Sequence, residues 1–460
     1  MVCTGGAKNG EGPVIRFSVM LALLAITAPA AANMADQAHR SKVAGIDLIT
    51  YRSNVKDVVI IIGVLPAGDA MVESGNIAIP TLSGMMLDRG TKSLDKFSIA
   101  EKLENVGAEI SFTVGAQSLE VRAKCLRKDL PLIIDTMAAE LRTPALLVGE
   151  FNKAKEQFIG ELEASVQDSS ALASEAFERA VFPEGHPNRP HTLNEYIAAA
   201  KSANLEELKA FQAKYYGPAH MTLVVVGDVT DADTQAEVAK AFSGWSGGQD
   251  YLRAAKPAAA AAASEITVPL ADKPSVNVLF GQASGLRYSD PDNLPLRVGT
   301  AILGRGFTGR LMSTVRDKEG LTYNIGASMG DDSIVDGVWE ISASFAPALL
   351  GKGVESTRRE VNRWWKDGVT EQELAARKQG VIGGYFVSLS TTLGLAETIL
   401  ANAQRGFDPS WLDAYPKAVK ALTRDQVNAA IKTHINPSAM VLVEAGSVPA
   451  AAKSAQPKAN

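Results

Sequence analysis

The chain is written twice. Tyr216-Gly-Pro-Ala-His-Met-Thr-Leu-Val-Val-Val-Gly227 and Ile435-Asn-Pro-Ser-Ala-Met-Val-Leu-Val-Glu-Ala-Gly446 stand 219 residues apart, so that Pro218, Met221 and Gly227 fall on Pro437, Met440 and Gly446. At the same offset the apolar run Asp57-Val-Val-Ile-Ile-Ile-Gly-Val64 faces Val276-Asn-Val-Leu-Phe-Gly-Gln-Ala283. An accidental repeat would not hold one offset at both ends, so the fold must be two copies of one unit. Helical spacing over Leu205 to Tyr215 and Arg424 to Thr433 predicts helices that stop at the following Gly-Pro and Asn-Pro, and each copy ends helix, turn, buried strand.

Between these ends, Ser98 to Asn105 and Glu150 to Leu162 carry apolar residues at helical spacing, while Ile110 to Val114 and Leu119 to Ala123 alternate as strands do. Strands in hairpin-like pairs and helices in runs predict an α+β fold with two homologous domains. Each is an antiparallel-rich sheet with helices packed over one face. Residues 244–273, with Gly247-Gly248 and the alanine run from Ala258 to Ala263, have a linker's composition. The expected organisation is a first domain over 33–243, that linker, a second domain over 274–450, and a tail from 451 to 460.

At 460 residues and 46% hydrophobic the chain has material for more than one core. Its net charge of -5, without a Lys/Arg run, gives no basic face for nucleic acid or an anionic membrane, and neither is expected as a partner. Residues 1–32 have another character. Lys8 and Arg16 precede the apolar run Phe17 to Ile26, which is too short to span a bilayer, and Ala30-Ala31-Ala32 follow. This is the pattern of a secretory signal cleaved before Asn33, and it predicts export to a bacterial periplasm. Cleavage would remove Cys3 and leave only Cys125, expected to be a buried small hydrophobe.

Two segments carry the chemistry. The first runs Gly75-Asn-Ile-Ala-Ile-Pro-Thr-Leu-Ser-Gly-Met-Met-Leu-Asp-Arg-Gly-Thr91 and continues into Ile99 to Ile110, with Gly107-Ala108 before a strand. It resembles the inverzincin metallopeptidases, the family of pitrilysin, insulin-degrading enzyme and mitochondrial processing peptidase, in which a helix carries His-x-x-Glu-His just before Met-Leu-x-x-Gly-Thr. The motif positions fall here on Thr81, Gly84 and Met85. Two imidazoles four apart bind zinc and the carboxylate between them serves as a base, and these three residues supply neither. The resemblance places one more family ligand at Glu161, which cannot hold a catalytic zinc alone. Of the histidines, His186 and His191 are nearest in sequence, within Phe182-Pro-Glu-Gly-His-Pro-Asn-Arg-Pro-His191. Pro187 and Pro190 keep them off a helix, and the family has a similar Phe-Pro-x-x-His-Pro loop as structure. No metal is therefore expected in this chain.

The second segment is Leu303-Gly-Arg-Gly-Phe-Thr-Gly-Arg-Leu-Met-Ser-Thr-Val-Arg-Asp-Lys-Glu-Gly-Leu-Thr-Tyr-Asn-Ile-Gly326. It predicts a loop, a helix over Leu311 to Lys318 ended by Gly320, and a strand from Tyr323. A nucleotide-binding loop is excluded, for no Gly-Lys-Ser/Thr follows the glycines. On spacing alone, Arg316 is either a functional cation or a helix-end charge pairing with Asp317 or Glu319. Tyr323 is either a site residue or a core aromatic. The stretch resembles the family's Gly-Phe-x-x-Arg-Leu-x-x-x-Ile-Arg-x-x-x-Gly-Leu-x-Tyr signature, whose arginine and tyrosine reach toward the zinc. The resemblance assigns Arg316 to a peptide carbonyl and Tyr323 to a developing oxyanion.

Metal motif lost with Arg316 and Tyr323 kept implies the non-metal-binding subunit of a two-subunit peptidase. Such a chain would form half of a clamp, inactive alone, around a site whose zinc sits in a homologous partner. The substrates implied are unfolded peptides enclosed in the chamber, and the strand Glu109 to Val114 is at most an accessory edge for them. A catalytically inert scaffold and a periplasmic peptide-binding chaperone are the alternative readings of the same fold.

Overall fold

In the computed structural model, which describes residues 33–72, 74–251, 257–259 and 261–449, each repeat forms one sheet. The first contains β1 (Ala38–Val43), β2 (Ile46–Arg52), β3 (Val58–Leu65), β4 (Glu109–Val114), β5 (Leu119–Leu126) and β6 (Thr222–Gly227), in the order β1-β2-β6-β3-β5-β4. The second contains β7 (Ser264–Pro269), β8 (Val276–Ala283), β9 (Thr322–Gly330), β10 (Val338–Phe345) and β11 (Val441–Gly446), in the order β7-β11-β8-β10-β9. Only β2 with β6 and β7 with β11 run parallel, so the sheets are antiparallel-rich as the α+β reading requires. The segment 1–32, Ala254 to Lys256 within the linker, and the tail 451–460 lie outside the described residues. No helix among the described residues is long and apolar enough to cross a membrane.

The offset of 219 holds for β6 and β11 and for the helices Leu205–Tyr215 and Arg424–His434. Asn204 and Thr423 cap those helices through capping boxes with Glu207 and Gln426. Each box satisfies two otherwise orphaned backbone donors. The offset fails for the first strand. Gly227 pairs with Val59, but Gly446 pairs with Val276, where a constant offset would have put Val278. A slip of two residues returns every side chain to its own face, so the pattern remained readable.

Ser264–Pro269 corrects the linker boundary, for it is a strand pairing in parallel with β11. Only Ile266 and Val268 are partly buried and the other four residues are exposed, which suits the sheet edge, where Pro269 costs no ladder bond.

Coverage of the sheets differs from the expectation of helices over one face. One face of the first sheet packs on its own helices, through Leu82, Ile133, Met137, Phe151 and Leu208. The other, bearing Ile49, Ile60, Ile62, Val224 and Val226, is covered by Leu395, Ile399 and Leu400 of the helix Thr392–Gln404 from the second repeat. Reciprocally, Ala173, Phe177 and Val181 of the helix Ser169–Val181 from the first repeat cover Leu279, Val441 and Val443. Each repeat lends the other a helix. The unbroken apolar run of β3, buried along nearly its whole length, is what a strand covered on both faces looks like.

Polar bonds reinforce the exchange. His186, stacked on Phe182 at 4.5 Å, bonds through Nε2 to Asp336 Oδ1 at 3.1 Å, and the Ala258 N–H donates to Asp336 Oδ2 at 2.8 Å. Burial pushes the Asp336 carboxyl up, and the bonds from His186 and Ala258 outweigh it and hold the group below its ordinary range.

One buried carboxyl works against the fold. Glu140, on the inner face of the helix Leu130–Arg142, is 1% exposed and its Oε2 has no hydrogen-bond partner. Burial, with Asp88 adding, pushes it up from 4.5 to about 8. The folded chain keeps a proton that the unfolded chain releases, so this group lowers stability as pH rises from about 4.5 to about 8. Glu140→Gln should therefore raise stability at pH 8 by on the order of 2 kcal/mol and flatten that part of the pH profile, read from urea unfolding at several pH values.

Candidate functional site

Arg316 stands on a π-helical turn, Met312–Lys318, in place of the α-helix expected over Leu311 to Lys318. Wide turns of this kind are rare and frequent at functional sites, because the extra residue re-aims the side chains that follow. Gly320, at φ 65°, ends the turn, and β9 begins two residues later. The Arg316 guanidinium carbon lies 5.1 Å from the ring centre of Phe307 and 5.0 Å from that of Tyr323. Such a sandwich fixes a cation without neutralising it.

These rings do not belong to a core. Tyr323 is 84% exposed and Phe307 72% exposed. Arg316 keeps one long ion pair, to Asp317 at 4.0 Å from its Nε, while Glu319 pairs with Arg359 instead. Tyr323 lies on β9, the free edge of the second sheet. The arrangement presents paired N–H donors, a phenol and an unpaired backbone edge on one exposed surface. Phe307 was not singled out from the sequence as a site residue, although it stands in the same motif.

Thr81, Gly84 and Met85 lie on the short helix Ile79–Met85. Thr81 donates through Oγ1 to Asp69 at 3.0 Å, and the Tyr196 hydroxyl donates to the other oxygen of Asp69 at 3.3 Å. Burial pushes Asp69 up to about 6, with those two bonds pulling the other way. Neither Asp69 nor Tyr196 had a sequence signal, because each sits outside any motif and reaches the helix only through the fold. Met85 packs partly buried against the first core. At Gly84, where the family carries its base, a Cβ would come within 2.5 Å of Val114 Cγ2 on β4. The helix has settled onto the sheet in the space a glutamate would need.

Glu161, on the helix Val148–Ser165, is exposed and accepts from Gln157 Nε2 at 2.9 Å. Gln157 accepts from Arg89, whose Nε donates to the Met85 carbonyl at 2.9 Å. Glu161 is thus tied to the end of the motif helix through two side chains. His186 is taken up by Asp336, and His191 lies 3.8 Å from Glu195, so the loop histidines are not brought together as a ligand pair. Among the described residues no group of three or more His, Cys, Asp or Glu is placed to hold a metal, and the residues at the motif do not fit zinc. Cys125, on β5, is 3% exposed, its thiol pushed up to about 12 by burial with Asp129 adding.

Rebuilding the metal motif should fail for a steric reason. The triple substitution Thr81→His, Gly84→Glu and Met85→His is expected to lower stability by about 1–3 kcal/mol and to take up no zinc above the unaltered chain. Thermal unfolding and metal analysis after dialysis would check both.

A cavity of about 1020 Å³ opens between the Asp69 turn and the His186 loop, lined among others by Glu178, Arg179, His191 and Tyr196. Its two arginines are engaged, for Arg179 donates to the Pro190 carbonyl and neighbours Glu195, and Arg189 donates to the Arg179 and Phe182 carbonyls.

Residues 202–381 match the family described as the peptidase M16 inactive domain. Over 320 residues the chain is 23% identical to an uncharacterized zinc protease of Streptomyces coelicolor, covering 68% of this chain and 67% of that protein. Over 383 residues it is 21% identical to a protein of Helicobacter pylori named a non-peptidase homolog, covering 80% and 84%. The crystal structure of a peptidase M16 inactive domain from Pseudomonas fluorescens superposes with a TM-score of 0.81 at 22% identity, over 90% of this chain and 98% of that one. A protease structure from Helicobacter pylori gives 0.78 at 16% identity, over 88% and 98%.

Proposed function

Starting from a chain whose residues 202–381 match the peptidase M16 inactive domain and whose fold is that of such a domain, we propose that it is the non-metal-binding subunit of a heterodimeric zinc metallopeptidase. The observation that carries this reading is Arg316 lying against two exposed rings, with Asp317 no nearer than 4.0 Å to its Nε, in a chain whose own motif helix has no room for the base. A homologous partner would hold the zinc. This chain would supply the Arg316 guanidinium, whose paired donors grip a peptide carbonyl, and the Tyr323 hydroxyl, which donates to the oxygen that becomes negative as that carbonyl is attacked. An unfolded peptide would be the substrate, lying along a sheet edge, with β4 as an accessory edge because it too is the last strand of its sheet. Export to the periplasm belongs to the same proposal and rests on the sequence of residues 1–32.

The test is peptide hydrolysis, with and without chelator, by the chain alone and by the complex it forms in its native source. Activity in the complex only, removed by chelator, is the expected result. Activity in the chain alone would mean that the metal ligands lie elsewhere.

A second reading has one observation of its own, the name non-peptidase homolog carried by the Helicobacter relative. In that reading the chain is an inert scaffold or a peptide-binding chaperone, and the native complex stays silent.

A further inference from the structure

The loop that carries Phe307 is braced at its base and bare at its tip. Residues 305–308 are exposed, and the glycines on either side, Gly304 and Gly309, are buried. A Cβ on Gly304 would overlap the backbone nitrogen of Ala327 on β9, and one on Gly309 would come within 3.0 Å of the Gly304 carbonyl carbon. The two ends of the loop are therefore seated on each other and on the edge strand, with no room for a larger residue at either. Gly306, at φ 69°, turns the chain, and the Gly309 N–H closes the turn on the Gly306 carbonyl at 3.1 Å. From the other side, Arg377 donates to Thr308 Oγ1 at 3.3 Å. The next residue past the loop, Arg310, makes paired bonds to Glu373 at 2.7 and 2.8 Å and donates to the Gly368 carbonyl at 2.9 Å.

At the tip of this loop stands a large ring that the fold does not use. Phe307 is 72% exposed and belongs to none of the four apolar clusters formed by the described residues. Its ring centre lies 5.1 Å from the guanidinium carbon of Arg316, which also lies 5.0 Å from the ring centre of Tyr323. Leaving such a ring in water contributes nothing to the folding of this chain. A braced loop, on the other hand, has already met the ordering cost that a mobile one would meet when a ligand arrived.

The neighbours of the ring say what would cover it. A guanidinium with a ring against its face keeps its in-plane N–H groups for a carbonyl oxygen. A peptide gripped there by a carbonyl brings an adjacent side chain beside the rings, and Phe307 is the one of the two without a polar atom. The free edge of the second sheet passes the same place, for Tyr323 lies on β9 and the base of the loop abuts Ala327 of that strand. A peptide added to this edge would run past the loop. We propose that Phe307 is a specificity-determining residue, its exposed ring receiving a large apolar or aromatic side chain of the peptide whose carbonyl Arg316 holds. An aromatic or branched aliphatic side chain gains ring contact and buried area there, whereas a small or acidic one gains neither. The proposal deepens the subunit reading and rests on it for the presence of peptide at this surface.

The test is binding, not hydrolysis, so the two readings fail separately. The full chain alone is titrated into fluorescein-labelled unstructured peptides that differ only at one central residue, which is Phe, Leu, Ala or Glu, and anisotropy gives Kd. The Phe and Leu peptides should bind about tenfold more tightly than the Ala and Glu peptides. Phe307→Ala should abolish that ratio, and Phe307→Leu should keep part of it. Phe386→Ala, which removes another exposed ring, should leave it whole. A loss shared equally by all four peptides in Phe307→Ala would mean that the ring only steadies Arg316, and would overturn the proposal. Equal binding of the four peptides by the unaltered chain, or binding of none, would overturn it too. So would a Phe307→Ala chain that keeps the preference but no longer assembles into the native complex, for the ring would then belong to the subunit interface. Chelator-sensitive hydrolysis by that complex is measured independently, and a clear preference beside a silent complex would sink the subunit reading alone.

Discussion

Replacing Tyr323 with Phe should lower kcat for peptide hydrolysis by the native complex about 10²- to 10³-fold, the usual cost of one donor to a developing oxyanion. The substitution removes a single oxygen. Its ring, 84% exposed, still flanks Arg316, so unfolding of the chain should move by less than about 0.5 kcal/mol. That separation makes the variant informative, because lost activity cannot then be charged to lost fold. Arg316→Ala should cost a comparable factor and raise KM as well, since the guanidinium grips the ground-state carbonyl before the reaction begins. Arg316→Lys should recover little, for an ammonium offers no paired donors and lies less well between Phe307 and Tyr323. If both substitutions leave an active complex unchanged, the shared site is wrong and the scaffold reading takes its place.

Phe177→Ala carries the largest expected loss of stability, about 3–5 kcal/mol. The side chain is fully buried, and it belongs to the helix that the first repeat lends to the second sheet. A Cβ on Gly281 would meet Phe177 at 3.1 Å, so strand and ring are already in contact and the sheet cannot move in to fill a truncation. Ile399→Ala, on the helix lent the other way, should cost about 2–5 kcal/mol. Because each helix closes the other repeat's sheet, both variants should lower the denaturant midpoint of the whole chain in one transition. Trp339 and Trp364, buried in the second core, report it by fluorescence for a substitution made in the first repeat. Two separated transitions, with Phe177→Ala moving only one of them, would show that the exchanged helices are ornamental.

The sequence was most informative where the cause is local. Strand alternation and the Gly-Pro and Asn-Pro stops each involve a few neighbouring residues. They fix backbone conformation without reference to the rest of the chain. The absence of zinc ligands at Thr81, Gly84 and Met85 was equally plain, because ligation depends on atoms that a residue either has or lacks. The boundaries were less secure. Ser264–Pro269 read as linker because its strand identity depends on β11, which lies far along the chain.

What the sequence by itself determined is the duplicated α+β plan, the lack of zinc-ligating atoms at the motif positions and the pair Arg316 and Tyr323 worth examining. The tertiary structure decided three further things: that each repeat covers the other's sheet, that Arg316 lies between exposed rings, and that Val114 occupies the space above Gly84. The reason is the range of the forces involved. Periodicity and capping act over one or two turns, whereas the surface a helix buries against is chosen by apolar area, and Phe177 meets its sheet about a hundred residues further along the chain. Nothing in the helix Ser169–Val181 names which of two similar sheets it will cover, and only the packed chain makes that choice.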